Sequence, residues 1–158
     1  GAPDPEEFTA ALDALCILLA KQIAADGEGA TKLIEMRVAG AASEDDAESI
    51  ARTIVGSPLV KTAVYGMDPN WGRIIAAAGR AGVVFDPENV SLSIGEGKSL
   101  CPLVDRGGIV AVPDRAKQAM AGKTVVFDLD LHSGSGEATA WGCDLTEKYV
   151  EINGKYTT

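Results

Sequence analysis

Apolar residues recur at helical spacing through the start of this chain. Phe8, Leu12, Leu15, Leu19 and Ile23 follow at steps of four, three, four and four, placing them on one stripe of a helix of about five turns. Asp4-Pro5-Glu6-Glu7 supplies the start: a capping carboxylate, proline at the first helical position, and Glu three residues after the cap. Asp26-Gly27 ends it. From Thr31 to Ala39 the period changes to two, with Ile34, Met36 and Val38 on one face and Glu35 and Arg37 on the other. That predicts a strand with one buried side.

Ser43-Glu44-Asp45-Asp46 repeats the capping logic ahead of Ile50, Ala51 and Ile54, and Gly56-Ser57-Pro58 stops that helix. Leu59 to Tyr65 reads as a short buried strand. Asp68-Pro69 is expected to cap a helix carrying Ile74, Ile75 and Ala78, closed by Gly79 and Gly82, with Trp71 as a large buried side chain. Val83 to Phe85, Val90 to Ile94 and Ile109 to Val112 read as strands, with a short helix over Pro113 to Met120. Lys123 to Leu131 and Glu137 to Trp141 predict a hairpin around Ser133-Gly134-Ser135-Gly136. Asp144 and Glu147 have capping-box spacing for a last helix through Ile152. Helices alternating with half-polar strands give an α/β (α+β) fold, a two-layer sandwich of amphipathic helices on a mixed, largely antiparallel sheet. No internal repeat or long linker divides it, so residues 1–158 read as one domain, with room for a smaller sub-lobe at about 58–113.

Composition narrows the classes. A hydrophobic share of 46% with 23% charged residues describes a globular chain rather than a disordered one. The net charge of −9 argues against nucleic acid or an anionic membrane as partner. Cys16, Cys101 and Cys143 are odd in number and widely spaced, which fits a reducing compartment and neither a disulfide framework nor a zinc site. No apolar run approaches the roughly 18 residues of a membrane span. Asp128, Asp130 and His132 share one strand face, but with Phe127, Leu129 and Leu131 burying the other they are expected to face solvent rather than hold a metal. His132 is the sole histidine and no Gly-x-Ser-x-Gly elbow accompanies it, so a Ser/His/Asp triad is not expected. Gly95-Glu96-Gly97 lacks the Lys-Ser/Thr and helix of a phosphate loop.

The segment Asp26-Gly27-Glu28-Gly29-Ala30-Thr31-Lys32 sets a carboxylate between two glycines, where backbone can turn sharply or approach a ligand closely. Alone, such a segment is more often a plain turn. Two further segments accompany it. One is Leu59-Val60-Lys61-Thr62-Ala63 running into Gly66-Met67-Asp68-Pro69-Asn70-Trp71-Gly72-Arg73. The other runs from Ala140-Trp141-Gly142-Cys143-Asp144-Leu145-Thr146 to Ile152-Asn153-Gly154-Lys155-Tyr156-Thr157-Thr158. Together and in this order they resemble the C-terminal part of the ornithine acetyltransferases, the bifunctional glutamate N-acetyltransferases of arginine biosynthesis, over about Phe8 to Thr158.

The resemblance implies a self-processing, N-terminal-nucleophile-like (DmpA/ornithine acetyltransferase) fold. In that family the precursor cuts itself at an Ala-Thr bond within a Lys-Gly-Ala-Gly-Met context, and the freed Thr carries the acetyl group. Ala30-Thr31 follows Glu28-Gly29 and matches the ligand loop instead. The chain therefore reads as the C-terminal portion of the β subunit, without the catalytic Thr and without the α subunit. The implied substrate-binding residues are Glu28, Asn153 and Thr158. A carboxylate suits the ammonium of ornithine, whereas Asn and Thr offer donors and acceptors to the amide and carboxylate of an N-acetyl amino acid. Tyr149 and Ile152 are the expected anchors of the last helix, and Gly154 the turn toward the ligand. No cofactor is implied, acetyl-CoA being an alternative donor substrate in some members. The implied partners are the α subunit and the N-terminal part of the β subunit in an α2β2 assembly, the compartment is cytoplasmic, and nucleic acid and membrane are excluded. A chain lacking its other part should expose apolar surface. Two rival readings stand beside this one: a non-catalytic amino-acid-binding or regulatory module, and a related self-processing amidase or aminopeptidase.

Overall fold

Six strands form one open mixed sheet in the computed structural model, which describes residues 4–110 and 113–156. The helices are α1 (Pro5–Ala25), α2 (Glu44–Val55), α3 (Pro58–Tyr65), α4 (Trp71–Ala78), α5 (Pro113–Ala119) and α6 (Glu147–Lys155). The strands are β1 (Leu33–Ala41), β2 (Ser91–Ile94), β3 (Cys101–Asp105), β4 (Gly108–Ile109), β5 (Thr124–Asp130) and β6 (Gly136–Cys143), in the order β4-β3-β2-β5-β1-β6. Only β1 and β5 run parallel; the other pairings are antiparallel.

The two-residue period of β1 sorts the sheet into two faces. Ile34, Met36 and Val38 lie beside Val125, Phe127 and Leu129 of β5, and Leu92 and Ile94 continue the row on β2. All eight are buried and form the core with Ala47, Ile50, Ala51 and Ile54 of α2 and Ile74 of α4. Ser43 caps α2 by accepting from the Asp46 amide, as its sequence position predicts. The opposite face carries Glu35, Arg37, Asp128, Asp130, Ser91 and Ser93, and α1 lies across one end of it. There Lys21 Nζ meets Glu35 Oε2 at 2.7 Å and sits 5.5 Å from the Trp141 ring centre. Glu35 is only 5% exposed, so the expected solvent face of β1 is covered at this point.

Several local expectations give way to tertiary structure. Residues 59–65 form helix α3 rather than a strand, because Pro58 starts a helix well and Val60, Ala63 and Val64 bury one helical face. Residues 83–85 form no strand; Val84 is 95% exposed. Of the strand expected at 109–112, Gly108–Ile109 is formed and residues 111–112 lie outside the described residues. β5 and β6 are not a hairpin, since β1 lies between them and pairs with both. Asn70, not Asp68, caps α4: its Oδ1 accepts from the Arg73 amide at 3.1 Å and its Nδ2 donates to Asp68 at 2.9 Å. Trp71 is only partly buried.

Helix α1 forms as the apolar stripe predicts, yet none of its residues is buried. It is also 21 residues long, and its most apolar 18-residue window has a mean hydropathy of 1.6, enough by length and composition to cross a membrane. The expectation that no apolar run approaches that length is corrected here: isolated Asp13 and Lys21 interrupt the run without lowering its average much.

Candidate functional site

Three motif segments far apart in sequence meet at one end of the sheet. The α1–β1 loop begins where the Asp26 amide closes the helix on the Gln22 carbonyl, and the Ala30 amide turns back to the Gly27 carbonyl at 2.9 Å. Gly29 adopts φ +70, which its lack of a side chain permits, and an added Cβ would come within 2.5 Å of Lys148 Cβ. The loop is thus packed directly on the first turn of α6.

Asp144 and Thr146 hold that packing. Asp144, 2% exposed, accepts through Oδ1 from the amides of Thr31 (2.7 Å) and Lys32 (3.0 Å), and through Oδ2 from the Thr31 hydroxyl (2.5 Å). Thr146, not Asp144, caps α6: its Oγ1 accepts from the Lys148 amide at 3.2 Å and donates to the Gly29 carbonyl at 2.7 Å. The capping-box reading of Asp144 and Glu147 fails because Asp144 is taken by backbone donors 112 and 113 positions away. The Leu145 amide reaches the Lys61 carbonyl at 3.3 Å, which brings α3 to the same end. Arg73 ties α4 to α3 through the Leu59 carbonyl at 3.0 Å, a structural use of that motif. Lys32 Nζ is spent on the carbonyls of Met120 (2.6 Å) and Gly122 (3.1 Å).

This arrangement sets Glu28 against Asn153. Asn153 Nδ2 donates to Glu28 Oε2 at 2.5 Å and to the Tyr149 carbonyl at 3.0 Å, joining residues 125 positions apart. Both are exposed. Helix α6 continues through Lys155, so Asn153 is a helical residue and Gly154 makes no turn. Tyr149 and Ile152 are 46% and 41% exposed and do not anchor α6 by burial; the Thr146 and Asp144 hydrogen bonds serve instead. Thr158 lies outside the described residues. Depressions of 740 and 580 Å³ lie elsewhere, the first between α2 and β6, the second on the polar sheet face. On this chain the Glu28–Asn153 pair is an open surface.

A second constellation emerges on the polar sheet face. Ser91 Oγ lies 2.9 Å from His132 Nε2, and His132 Nδ1 lies 3.2 Å from Asp130 Oδ1. Sequence reading expected no Ser/His/Asp triad for want of a nucleophile elbow; the three residue types nevertheless meet, because β2 and β5 are neighbours and bring Ser91 opposite Asp130. Ser91 sits within a strand and not on a nucleophile elbow. Its Oγ already accepts from the Arg106 amide at 3.2 Å, a donor thereby spent on Ser91 rather than free for a substrate oxygen. The grouping ties the β3–β4 turn to the end of β5. Asp128 and Asp130 keep 39% and 46% of their side chains exposed, near the expected solvent face, whereas His132 is partly buried at 18%. Among the described residues, no group of three His, Cys, Asp or Glu side chains is placed to hold a metal ion.

The Glu35 cluster is the strongest electrostatic feature. Burial pushes its carboxyl up, but hydrogen bonds from Lys21, Trp141 and Arg37 outweigh this and bring its pKa to about 2. Trp141 Nε1 donates to Oε2 at 2.9 Å and Arg37 Nε to Oε1 at 2.8 Å. Arg37 also pairs with Glu96.

Fold and site together define an α/β protein with polar residues gathered at a loop–helix junction. The same architecture occurs in the crystal structure of arginine biosynthesis bifunctional protein ArgJ from Bacillus halodurans. That likeness has a TM-score of 0.92 and 44% identity, covering 98% of this chain and 72% of that one. The chain belongs to the ArgJ family, which it matches over residues 1–158. It is 52% identical over 159 residues to the arginine biosynthesis bifunctional protein ArgJ of Geobacillus stearothermophilus, spanning 99% of this chain and 37% of that protein. It is 49% identical over 155 residues to the glutamate N-acetyltransferase of Methanosarcina mazei, spanning 97% of this chain and 39% of that protein. The chain thus covers well under half the length of these relatives.

Sequence reading singled out Glu28 and Asn153 as candidates through the family motifs, and the structure brings the two into contact. It missed Asp144 and Thr146 as the residues that bring them together. The available signal was a pair of polar residues directly following the apolar end of β6, and it does not say which backbone they serve.

Proposed function

We propose that this chain is the C-terminal portion of the β subunit of an ornithine acetyltransferase, a glutamate N-acetyltransferase of arginine biosynthesis. The complete protein moves acetyl from N2-acetylornithine to glutamate through an acetyl-Thr intermediate, in a ping-pong route. The Thr nucleophile and its oxyanion donors lie in the remainder of the protein, and Glu28, Asn153 and Thr158 of this chain bind the amino-acid part of the substrate. The observation that carries this reading is the Glu28–Asn153 contact in a family member.

The chemistry of the pair fits. Glu28 Oε2 is engaged by Asn153, which leaves Oε1 to accept from an ammonium group. When that ammonium arrives, the Asn153 amide can turn its donors to a substrate carbonyl or carboxylate, which also accommodates glutamate in the second half-reaction. No cofactor is needed, and acetyl-CoA would enter only as an alternative donor. The partners are the α subunit and the N-terminal part of the β subunit, assembled as α2β2 in the cytoplasm. Relative lengths support a processed precursor. The chain spans 72% of the solved Bacillus halodurans chain but 37% of the Geobacillus protein, so that solved chain is about half a relative's full length.

The test uses the complete protein carrying Glu28→Gln, which keeps size and removes charge. Binding of N2-acetylornithine should weaken by about 1.5–3 kcal/mol, the worth of a charge-assisted hydrogen bond. Acetylation of the Thr by a small activated ester should persist. Unchanged acetylornithine affinity would remove Glu28 from the site.

A further inference from the structure

Helix α1 is apolar on more than one side, and among the described residues nothing covers its large apolar side chains. Phe8, Leu12, Leu15, Leu19 and Ile23 form one stripe, Ile17 and Leu18 lie off it, and their exposures run from 44% to 77%. A helix of this kind belongs either inside a protein or in a bilayer.

Three observations decide against the bilayer. The only basic residue of α1, Lys21, points into the fold, bonded to the buried Glu35 and lying over Trp141. The helix therefore lies flat on the polar face of the sheet through its last turns, where Ala20, Lys21 and Ala24 are partly covered. Its ends carry Asp4, Glu6 and Glu7 on one side and Asp26 and Glu28 on the other, with no Trp or Tyr in α1. Membrane-spanning helices instead carry Lys or Arg on one flank and aromatic rings at the interfaces. A second copy of α1 is also a poor fit, because a two-helix pair covers one stripe of each helix and leaves the other apolar residues in water.

We propose that α1 is the docking helix for the remainder of the same protein, and that this contact sets the position of the Glu28 loop. The identity of the partner rests on the functional reading above. The chain covers 37–39% of its relatives' length, so ample polypeptide is left to enclose a helix of 21 residues. The coupling is short and stiff. The Asp26 amide caps α1 on the Gln22 carbonyl, and Glu28 follows two residues later in a loop held by Asp144 and Thr146. A partner that grips α1 thereby fixes the distance between its own reacting group and the Glu28–Asn153 pair.

The experiment uses the complete protein with Leu15→p-benzoylphenylalanine, irradiated in detergent-free buffer, with adducts mapped by mass spectrometry. Adducts joining Leu15 to peptides outside these 158 residues are expected. Adducts only to residues 5–25 of a second copy, adducts to lipid, or no adduct at all would overturn the proposal. Cys16, exposed on α1 here, gives an independent reading in the unsubstituted protein. Its alkylation in the native, detergent-free protein should be at least about tenfold slower than after unfolding. Equal rates would overturn docking even if Leu15 tolerated no substitution. Both readouts are separate from acetyl transfer: adducts without activity would sink the enzymatic reading alone, and activity without adducts would sink the docking helix alone.

Discussion

Asp144→Ala is the most informative single change, because one buried carboxylate holds the Glu28 loop by three hydrogen bonds. Truncation removes the acceptor from the Thr31 and Lys32 amides and from the Thr31 hydroxyl. Hydrogen bonds to a charged group contribute about 1.5–3 kcal/mol each, and an unsatisfied buried donor costs about 1–3 kcal/mol. Thr31 is exposed, so water can replace part of what is lost, and its hydroxyl can turn to solvent. The expected destabilisation is about 3–5 kcal/mol. Asp144→Asn retains Oδ1 for the two amides and lets the Thr31 hydroxyl rotate to accept, so it should cost about 1–2 kcal/mol. Thr31→Val removes one donor and should cost about 1 kcal/mol alone but close to nothing in the Asp144→Ala background. Urea unfolding of the complete protein, followed by far-ultraviolet circular dichroism, measures all four. Under the proposed function, the same variants should raise KM for acetylornithine in the order Asn, then Ala, because the loop that positions Glu28 loosens. Asp144→Ala within about 0.5 kcal/mol of wild type, with KM unchanged, would refute the claim that this carboxylate organises the site.

Two further outcomes follow from the geometry. Glu35 has a folded-state pKa of about 2 against an ordinary value of 4.5, so its contribution is fully present above about pH 4.5 and is lost as pH falls toward 2. Glu35→Gln should therefore cost about 2–3 kcal/mol at neutral pH and progressively less on acidification; a pH-independent difference in unfolding free energy would contradict it. Gly29→Ala forces a Cβ at φ +70 to within 2.5 Å of Lys148 Cβ and 3.0 Å of the Tyr149 nitrogen, so it should cost about 2–4 kcal/mol. Gly97→Ala has φ +52 but nothing within 4 Å, and should cost only about 1–2 kcal/mol in thermal or urea melts.

Local pattern alone determined α1, α2 and the buried face of β1. In each, a run of apolar residues holds one period long enough to exclude the other, and a capping residue marks the start of the two helices. The same logic failed at residues 59–65, where the run is too short for its spacing to separate strand from helix, and Pro58 at the start with Val60, Ala63 and Val64 buried on one face makes it a helix. It failed again at β5 and β6, because a turn between two strands does not reveal that β1 enters between them. Glu28 and Asn153 were legible as motif residues, while their contact was not. Nor were the roles of Asp144 and Thr146, whose partners lie 112 to 117 positions away. Sequence records what a residue can donate or accept. Which donor meets which acceptor across that distance is decided by strand order and by where β6 delivers α6, and those follow from packing the whole sheet at once.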